Sequence, residues 1–262
     1  MIVRILKLGA GLTLSGIKAL PDYIRDYYRL KEQLNGQTQF PIKGFYPALF
    51  DRYAESGHLV KHYFLQDLYV AQRIFNNNPI RHVDIGSRID GFAAHVAAFR
   101  PIEIFDIRPL TRQIPNVSFR QADLMALPPN LTAYTDSVSS LHAIEHFGLG
   151  RYGDPIDING HIKALDTIYE ILKPGGTFYF SSPIGPQGIV YNAHRVFDVS
   201  YLLQLFTPRY EIISFSYIND NEQLFENVDW KTDAVKNNFG CLYGCGIFEM
   251  KKISNSTKPH DS

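Results

Sequence analysis

The chain has 262 residues, of which 45% are hydrophobic and 20% are charged, a length and balance that suit one α/β domain with added segments. Lys and Arg together number 26, as do Asp and Glu, so no overall positive field favours nucleic acid as a partner. The two cysteines, Cys241 and Cys245, exclude a disulfide framework and are typical of a reducing compartment, so we expect a cytoplasmic protein.

Residues 1–20 are apolar apart from three cations, Arg4, Lys7 and Lys18. The uncharged run over 8–17 is too short to span a bilayer, and its glycines weaken a helix. Three interpretations stay open: a disordered end, a helix packed on the domain, or a shallow anchor at a membrane surface. The last would give the protein peripheral membrane contact and a membrane-associated location.

Residues 21–79 predict a helical cap rather than a separate domain. Pro21 suits the first position of a helix over 21–34. An irregular stretch rich in proline and glycine follows it. A second helix is predicted over 59–75, after which an Asn-Asn-Asn-Pro run stops it.

The chain from 80 to 253 alternates predicted strands with predicted helices. The strands lie at about 81–85, 102–106, 117–120, 137–141, 177–181, 210–218 and 242–250, and helices lie near 93–98, 158–172 and 198–206. This alternation predicts an α/β domain with a mainly parallel sheet and right-handed crossovers. The polar tail over 254–262 is expected to be disordered.

The first strand leads into a glycine turn and a helix of small residues. Such a unit builds nucleotide sites in α/β folds, because backbone N–H groups at the helix N-terminus face the ligand. On this stretch alone, an ordinary turn is an equal alternative. We assign four of its residues to a cofactor site, namely Asp84, Gly86, Ser87 and Arg88.

Acidic and histidine residues follow the next three strands. Asp106 comes about twenty residues after the glycine turn, a spacing that suits an acid accepting ribose hydroxyls, with an N-cap as the alternative. Asp123 can accept from an adenine amino group, or can cap a turn. The fourth strand runs into His142, Glu145 and His146, where open α/β sheets bind ligands.

Together these residues resemble the class I S-adenosylmethionine-dependent methyltransferases. The likeness covers about residues 60–250 and rests on Asp84-Ile85-Gly86, Asp106, Asp123-Leu124, Ile144-Glu145-His146 and the turn Leu172-Lys173-Pro174-Gly175-Gly176. It implies a Rossmann-like sheet of seven strands in the order 3-2-1-4-5-7-6, with the last strand antiparallel and helices flanking it. It also implies S-adenosyl-L-methionine as the cofactor and methyl transfer to a small-molecule acceptor.

Three segments resemble a narrower family within that group, whose members are usually described only as a domain of unknown function. They begin at His62, His146 and Asn192. The proteins with which that family is usually associated point to a sugar or glycan precursor as the acceptor.

The glycine turn departs from the superfamily pattern acid-x-Gly-x-Gly-x-Gly. Arg88 and Asp90 stand at the later glycine positions, where Arg88 can crowd the cofactor or pair with its carboxylate. We therefore keep an alternative, a non-catalytic member of the fold that binds a nucleotide or sugar nucleotide. Such a module can be tethered to a membrane in glycan assembly.

The methyltransferase resemblance assigns roles to the remaining site residues. Candidates for the base that takes the acceptor's proton are His146, His194 and Glu145, in that order. Ile107, Leu124 and His142 join the cofactor site, and the acceptor side comprises Arg151, Tyr152, Tyr191, Asn192 and Arg195.

Structural alternatives accompany these assignments. His146 can be a buried structural histidine, and the loop over 148–155 an ordinary surface turn. Arg195 can hold an anionic group on the acceptor, or can pin its loop through a salt bridge. His142 and His146 are four residues apart, but no third ligand is evident, so we predict no metal site. The sequence does not fix an oligomeric state.

Overall fold

The computed structural model describes residues 14–36, 39–53 and 61–254 and forms two compact units, Met1–Leu59 and Val60–Ser262. The expectations for residues 1–13 and for the tail from 255 lie outside the described residues. The division between the units differs from the predicted boundary at residue 79, because the helix before that residue packs on the sheet.

In the first unit, helix α1 spans Leu14–Leu34. Pro21 lies inside this helix, so its predicted place at the first helical position is wrong. A proline inside a helix removes one backbone hydrogen bond, yet here helical backbone continues on both sides of it. The short 3-10 turn Asp51–Tyr53 is tied to α1 by the Tyr53 hydroxyl, which donates to Asp22 at 2.7 Å.

None of the helices within the described ranges combines the length and the apolar character needed to cross a bilayer.

The second unit is built on a single large sheet. Its strands and those of a small hairpin are β1 His82–Ile85, β2 Ile102–Asp106, β3 Val117–Gln121, β4 Thr135–Leu141, β5 Leu172–Ile184, β6 Gly188–Val190, β7 His194–Val196, β8 Tyr210–Ile218, β9 Leu224–Phe225 and β10 Gly244–Lys252. The sheet has eight strands in the order β3-β2-β1-β4-β5-β10-β8-β9, and β6 pairs only with β7.

The pairing confirms the predicted α/β fold. Strands β1 to β5 are parallel to one another, whereas β10 is antiparallel to both β5 and β8. Apart from the edge strand β9, this is the order 3-2-1-4-5-7-6 that the resemblance implies. The extra strand has two residues and pairs with the end of β8.

Helices cover both faces of the sheet, as a parallel sheet that is apolar on both sides requires. They are α2 Lys61–Asn77, α3 Ala94–Ala97, α4 Gly160–Ile171 and α5 Val199–Phe206. On one face, Val70 and Ile74 of α2 pack with Ile104 of β2. On the other, Ile168 of α4 and Leu202 of α5 belong to the larger apolar core. Since β1, β2 and β4 run in the same direction, their carboxyl ends meet at one edge.

Candidate functional site

A cavity of about 250 Å³ opens at the edge of the sheet where β1 to β4 end. Ten of the predicted site residues line it: Gly86, Arg88, Asp106, Ile107, Asp123, Leu124, His142, His146, Arg151 and Tyr152. The loops after four different strands therefore converge on one cavity, the usual position of ligand sites in open α/β sheets.

The turn after β1 has the close packing that requires glycine. Gly86 has φ +71°, and a Cβ at this position would lie 3.0 Å from the Cβ of Ala143. Asp84 is fully buried beneath the turn and accepts hydrogen bonds from the backbone and hydroxyl of Ser87. Burial raises the pKa of Asp84 to about 7. Asp84 and Ser87 thus shape the turn and, contrary to prediction, do not line the cavity.

Arg88 and Asp90, which replace the usual glycines, pair with each other. Arg88 Nε and Nη2 donate to the two Asp90 carboxylate oxygens at 3.2 and 3.1 Å. The Arg88 guanidinium also lies over the ring of Tyr63, 5.5 Å from its centre. Arg88 and Gly86 both line the cavity, with the Arg88 guanidinium held by Asp90.

Asp106 lines the cavity with its carboxylate held by Arg108, a residue that sequence reasoning missed. Oδ1 accepts from the backbone N and Nε of Arg108 at 2.8 and 3.0 Å, and Oδ2 accepts from Nη2 at 2.7 Å. A carboxylate offers about four acceptor positions, so one remains for a ligand hydroxyl. The sequence signal that could have identified Arg108 is a basic residue two positions after Asp106.

Asp123 and the neighbouring apolar residues form the next wall of the cavity. Asp123 Oδ1 accepts from the backbone of Met125 at 2.9 Å, which is the turn-capping role considered above, and its other oxygen makes no hydrogen bond to a described residue. Leu124 is buried in the core, and Ile107 is half-buried. An acceptor oxygen beside apolar surface suits a flat polar ring such as adenine.

His146 is fixed in one tautomer. Its Nδ1 lies 2.6 Å from the carbonyl oxygen of Ala193, which can only accept, so Nδ1 carries the hydrogen and Nε2 carries the lone pair. Nε2 makes no hydrogen bond to any described residue and lies 3.8 Å from Glu145 Oε1. Burial lowers the pKa of His146, although Glu145 opposes this shift, so the imidazole is neutral at pH 7.

Glu145 lies behind His146 and, contrary to prediction, does not line the cavity. Its carboxyl is buried, and Oε1 is 2.9 Å from His142 Nδ1. Burial raises the pKa of Glu145 to about 7 and lowers that of His142 to about 3. The His142 ring also stacks on His62 with 4.6 Å between centres. Glu145 is therefore placed to interact with His142 and, at a longer distance, with His146.

The loop after His146 is held by Asp154. Its carboxylate accepts from the backbone N–H groups of Gly148, Gly150 and Tyr152 at 2.8, 3.2 and 3.2 Å. This presents the Tyr152 ring to the cavity, edge-on to His146. The predicted surface loop is thus an ordered wall of the cavity.

The loop after β5 contributes differently from the prediction. Arg195 is buried, and its guanidinium donates to the carbonyl oxygens of Phe147 at 2.6 Å, Ile158 at 3.2 Å and Glu145 at 3.3 Å. It is therefore unavailable to an acceptor and joins the two loops through carbonyls instead of a salt bridge.

The other predicted residues of this loop also lie off the cavity. Tyr191 and Asn192 are exposed, and Tyr191 is 86% exposed. His194 does not line the cavity, although its ring centre is 6.4 Å from that of His146. The assignment of all three to an acceptor or base role stays a prediction. The cavity walls that the sequence did not predict are Tyr63, Phe105, Arg108, Ala122, Ala143, Phe147 and Asp154.

Within the part of the chain that the structure describes, no three His, Cys, Asp or Glu side chains are grouped to hold a metal ion.

One family matches the chain over the acceptor-side loops. The family described as "Caenorhabditis protein of unknown function, DUF268" matches residues 111–244, just over half of the chain. The chain belongs to the DUF268 family. The matched stretch of this DUF268 member contains both loops just described but begins after Gly86 and Asp106. Its sequence matches no curated protein.

Solved structures share the fold of this DUF268 protein at low sequence identity. The [4+2]-cyclase SpnF is 16% identical with a TM-score of 0.52, over 73% of this chain and 81% of that chain. The N-methyltransferase NodS from Bradyrhizobium japonicum WM9, in complex with S-adenosyl-L-homocysteine, is 12% identical with a TM-score of 0.51, over 74% and 90%. The 1,6-didemethyltoxoflavin-N1-methyltransferase from Burkholderia thailandensis, with bound S-adenosylhomocysteine, is 13% identical with a TM-score of 0.51, over 94% and 93%. These likenesses show the methyltransferase fold.

Proposed function

We propose that this DUF268 protein transfers a methyl group from S-adenosyl-L-methionine to a small acceptor. The observation that carries the proposal is the position of His146, which lines the same cavity as Gly86 and Asp106 and whose Nδ1 is held by the carbonyl oxygen of Ala193. Two of the structural neighbours are methyltransferases with bound S-adenosylhomocysteine, which supports this chemistry. The third is a cyclase, so the fold alone does not decide it and the site residues must.

The residues present fit the methyl donor. The turn lacks a Cβ at Gly86, Asp106 keeps one acceptor position for a ribose hydroxyl, and Asp123 keeps an oxygen for an adenine amino group. Arg88 also lines the cavity, where its guanidinium is engaged by Asp90. S-adenosyl-L-methionine, when bound, supplies an electrophilic methyl group.

Proton transfer and positioning of the acceptor depend on this chain's own residues. His146 Nε2 accepts the proton of the acceptor's nucleophile as the methyl group is transferred. The resulting imidazolium keeps its Nδ1 hydrogen bond to Ala193 and faces Glu145 at 3.8 Å, an interaction that favours the charged form. Tyr152 and Phe147 enclose the acceptor side and exclude water. The predicted acceptor class, a sugar or glycan precursor, would offer such a nucleophile as a hydroxyl.

Replacing Asp106 by alanine is expected to weaken binding of S-adenosyl-L-homocysteine strongly. The variant loses a charge-assisted hydrogen bond to the ribose, which contributes about 1.5–3 kcal/mol, or about tenfold to a hundredfold in affinity. Isothermal titration calorimetry of the wild type and the variant measures this difference.

Asp166→Ala is the matched control, since Asp166 is exposed on α4 outside the cavity and should leave affinity unchanged. Equal affinity in Asp106→Ala and the wild type would remove Asp106 from the ribose site. No heat of binding in the wild type would contradict the proposed function itself.

A further inference from the structure

Three guanidinium groups line the cavity, and two of them are neutralised. Arg88 pairs with Asp90 at 3.1 Å, and Arg108 pairs with Asp106 at 2.7 Å. No carboxylate oxygen of the described residues lies within 4.0 Å of a guanidinium nitrogen of Arg151. Among the described residues, Arg151 is therefore the guanidinium of the cavity without a carboxylate ion pair, and Asp123 and Asp154 are the other charged groups of the lining.

The donors of Arg151 are mostly unused. Nη1 donates to the carbonyl oxygen of Ala193 at 3.0 Å, whereas Nε and Nη2 make no hydrogen bond to a described residue. The nearby carboxylate of Asp154 is occupied by three backbone N–H groups. The guanidinium lies over the Tyr152 ring, 5.2 Å from its centre, which limits the directions in which it can point.

We propose that Arg151 binds an anionic group of the acceptor: a carboxylate, sulfate or phosphate. A guanidinium whose Nε and Nη2 donors are both unused can hold such a group through two parallel hydrogen bonds along that edge. That the anionic group belongs to a methyl acceptor rests on the proposed function, whereas the anion site itself does not depend on it. One guanidinium without an ion pair, in a cavity that Asp123 and Asp154 also line, fits a single anionic group better than the diphosphate of a sugar nucleotide.

The site also constrains the size of the acceptor. Arg151 Nη1 lies 3.4 Å from His146 Nδ1, so the anion site and the base are neighbours. Because the two side chains are in contact, we expect the nucleophile and the anionic group to belong to one small molecule. A hydroxy acid, an amino acid or a small sugar phosphate or sugar acid meets this requirement.

Anion binding at Arg151 has a consequence for His146 that can be measured without turnover. Arg151 is one of the groups that lower the pKa of His146. The other titratable groups around His146 are Glu145, His142, His194 and Tyr152. A bound anion offsets the charge of Arg151, so it raises the pKa of His146 and makes this histidine a stronger base when the acceptor is present.

The test is a titration followed by NMR of the histidine side chains. Inorganic phosphate, sulfate and acetate are added in turn to the full chain at constant ionic strength, with and without S-adenosyl-L-homocysteine. The His146 signal is identified by its loss in His146→Gln. We expect saturable shifts of this signal, a higher pKa of His146 in the anion complex, and binding about tenfold weaker in Arg151→Gln. The anion that binds most tightly indicates whether the acceptor carries a phosphate, a sulfate or a carboxylate.

Arg209→Gln is the matched control. Arg209 pairs with Asp166 at the opposite edge of the sheet, so anion binding should equal that of the wild type. Arg151→Lys keeps the charge but loses the paired donors, and intermediate affinity is expected, which keeps the test decisive if Arg151→Gln does not fold.

Absence of a saturable shift in the wild type would overturn the proposal, as would equal binding by Arg151→Gln. If the anions bind through Arg151 but S-adenosyl-L-homocysteine does not bind, the anion site stands and the proposed methyl transfer fails. If only S-adenosyl-L-homocysteine binds, methyl transfer stands and the anionic acceptor is excluded.

Discussion

Gly148→Ala is expected to lower the free energy of unfolding by about 4 kcal/mol. Gly148 has φ +76°, a left-handed conformation that costs alanine about 1–2 kcal/mol. A Cβ there would also overlap the carbonyl oxygen of Asp157 and lie 3.1 Å from Cα of Gly160. Because these neighbours are backbone atoms, the loop must shift as a whole, which adds about 1–3 kcal/mol.

Gly153→Ala provides the matched control within the same loop. Its φ is +84°, but no atom lies within 4 Å of the position of a Cβ. Only the conformational cost of about 1–2 kcal/mol applies. Urea unfolding followed by circular dichroism measures both variants. Equal losses in the two variants would show that the contact between Gly148 and Gly160 is not needed for stability.

Glu145→Gln is expected to gain about 3 kcal/mol of stability relative to the wild type between pH 4.5 and pH 8. Burial raises the pKa of Glu145 in the folded protein to about 7, above its ordinary value of 4.5. The stability contributed by the protonated carboxyl is fully present below pH 4.5 and is lost as the pH rises through 7. Glutamine has a similar shape and does not ionise, so the variant escapes this loss.

The measurement is the difference between the unfolding free energies of the wild type and the variant at several pH values. Asp84, whose pKa burial also raises to about 7, titrates in both proteins and cancels in this difference. Glu226→Gln replaces an exposed glutamate and serves as the control. A difference that stays constant with pH would mean that Glu145 ionises as readily when folded as when unfolded.

Much of the fold could be predicted because strand and turn signals coincide along the chain. The β-branched residues Val83 and Ile85 precede the glycine turn, and each predicted strand was found within a few residues of its expected place. Strand β9 was missed because two residues carry no periodic pattern. Helix α2 was assigned to a cap, since its packing on the sheet is a tertiary property that helix periodicity does not report.

Residues that line the cavity could be predicted where they directly follow a strand, as do Gly86 and Asp106. The prediction was poorer where two loops carry the same residue types and only one of them lines the cavity. Arg151 and Arg195 both follow a histidine in loops at the same edge of the sheet, yet one is exposed and the other is buried. The difference arises because three backbone carbonyl oxygens accept hydrogen bonds from Arg195. No residue pattern in the sequence predicts that these carbonyls lie close together.

The position of β10 has a consequence for how this chain is made on the ribosome. Strands β1 to β5 can assemble as they emerge, but the free edge of β5 pairs only with β10, which begins 60 residues after β5 ends. At a synthesis rate of about 5–20 residues per second, this edge waits for several seconds without its partner. Exposed strand edges recruit other strands, so nascent chains of this protein are vulnerable to mispairing during that interval.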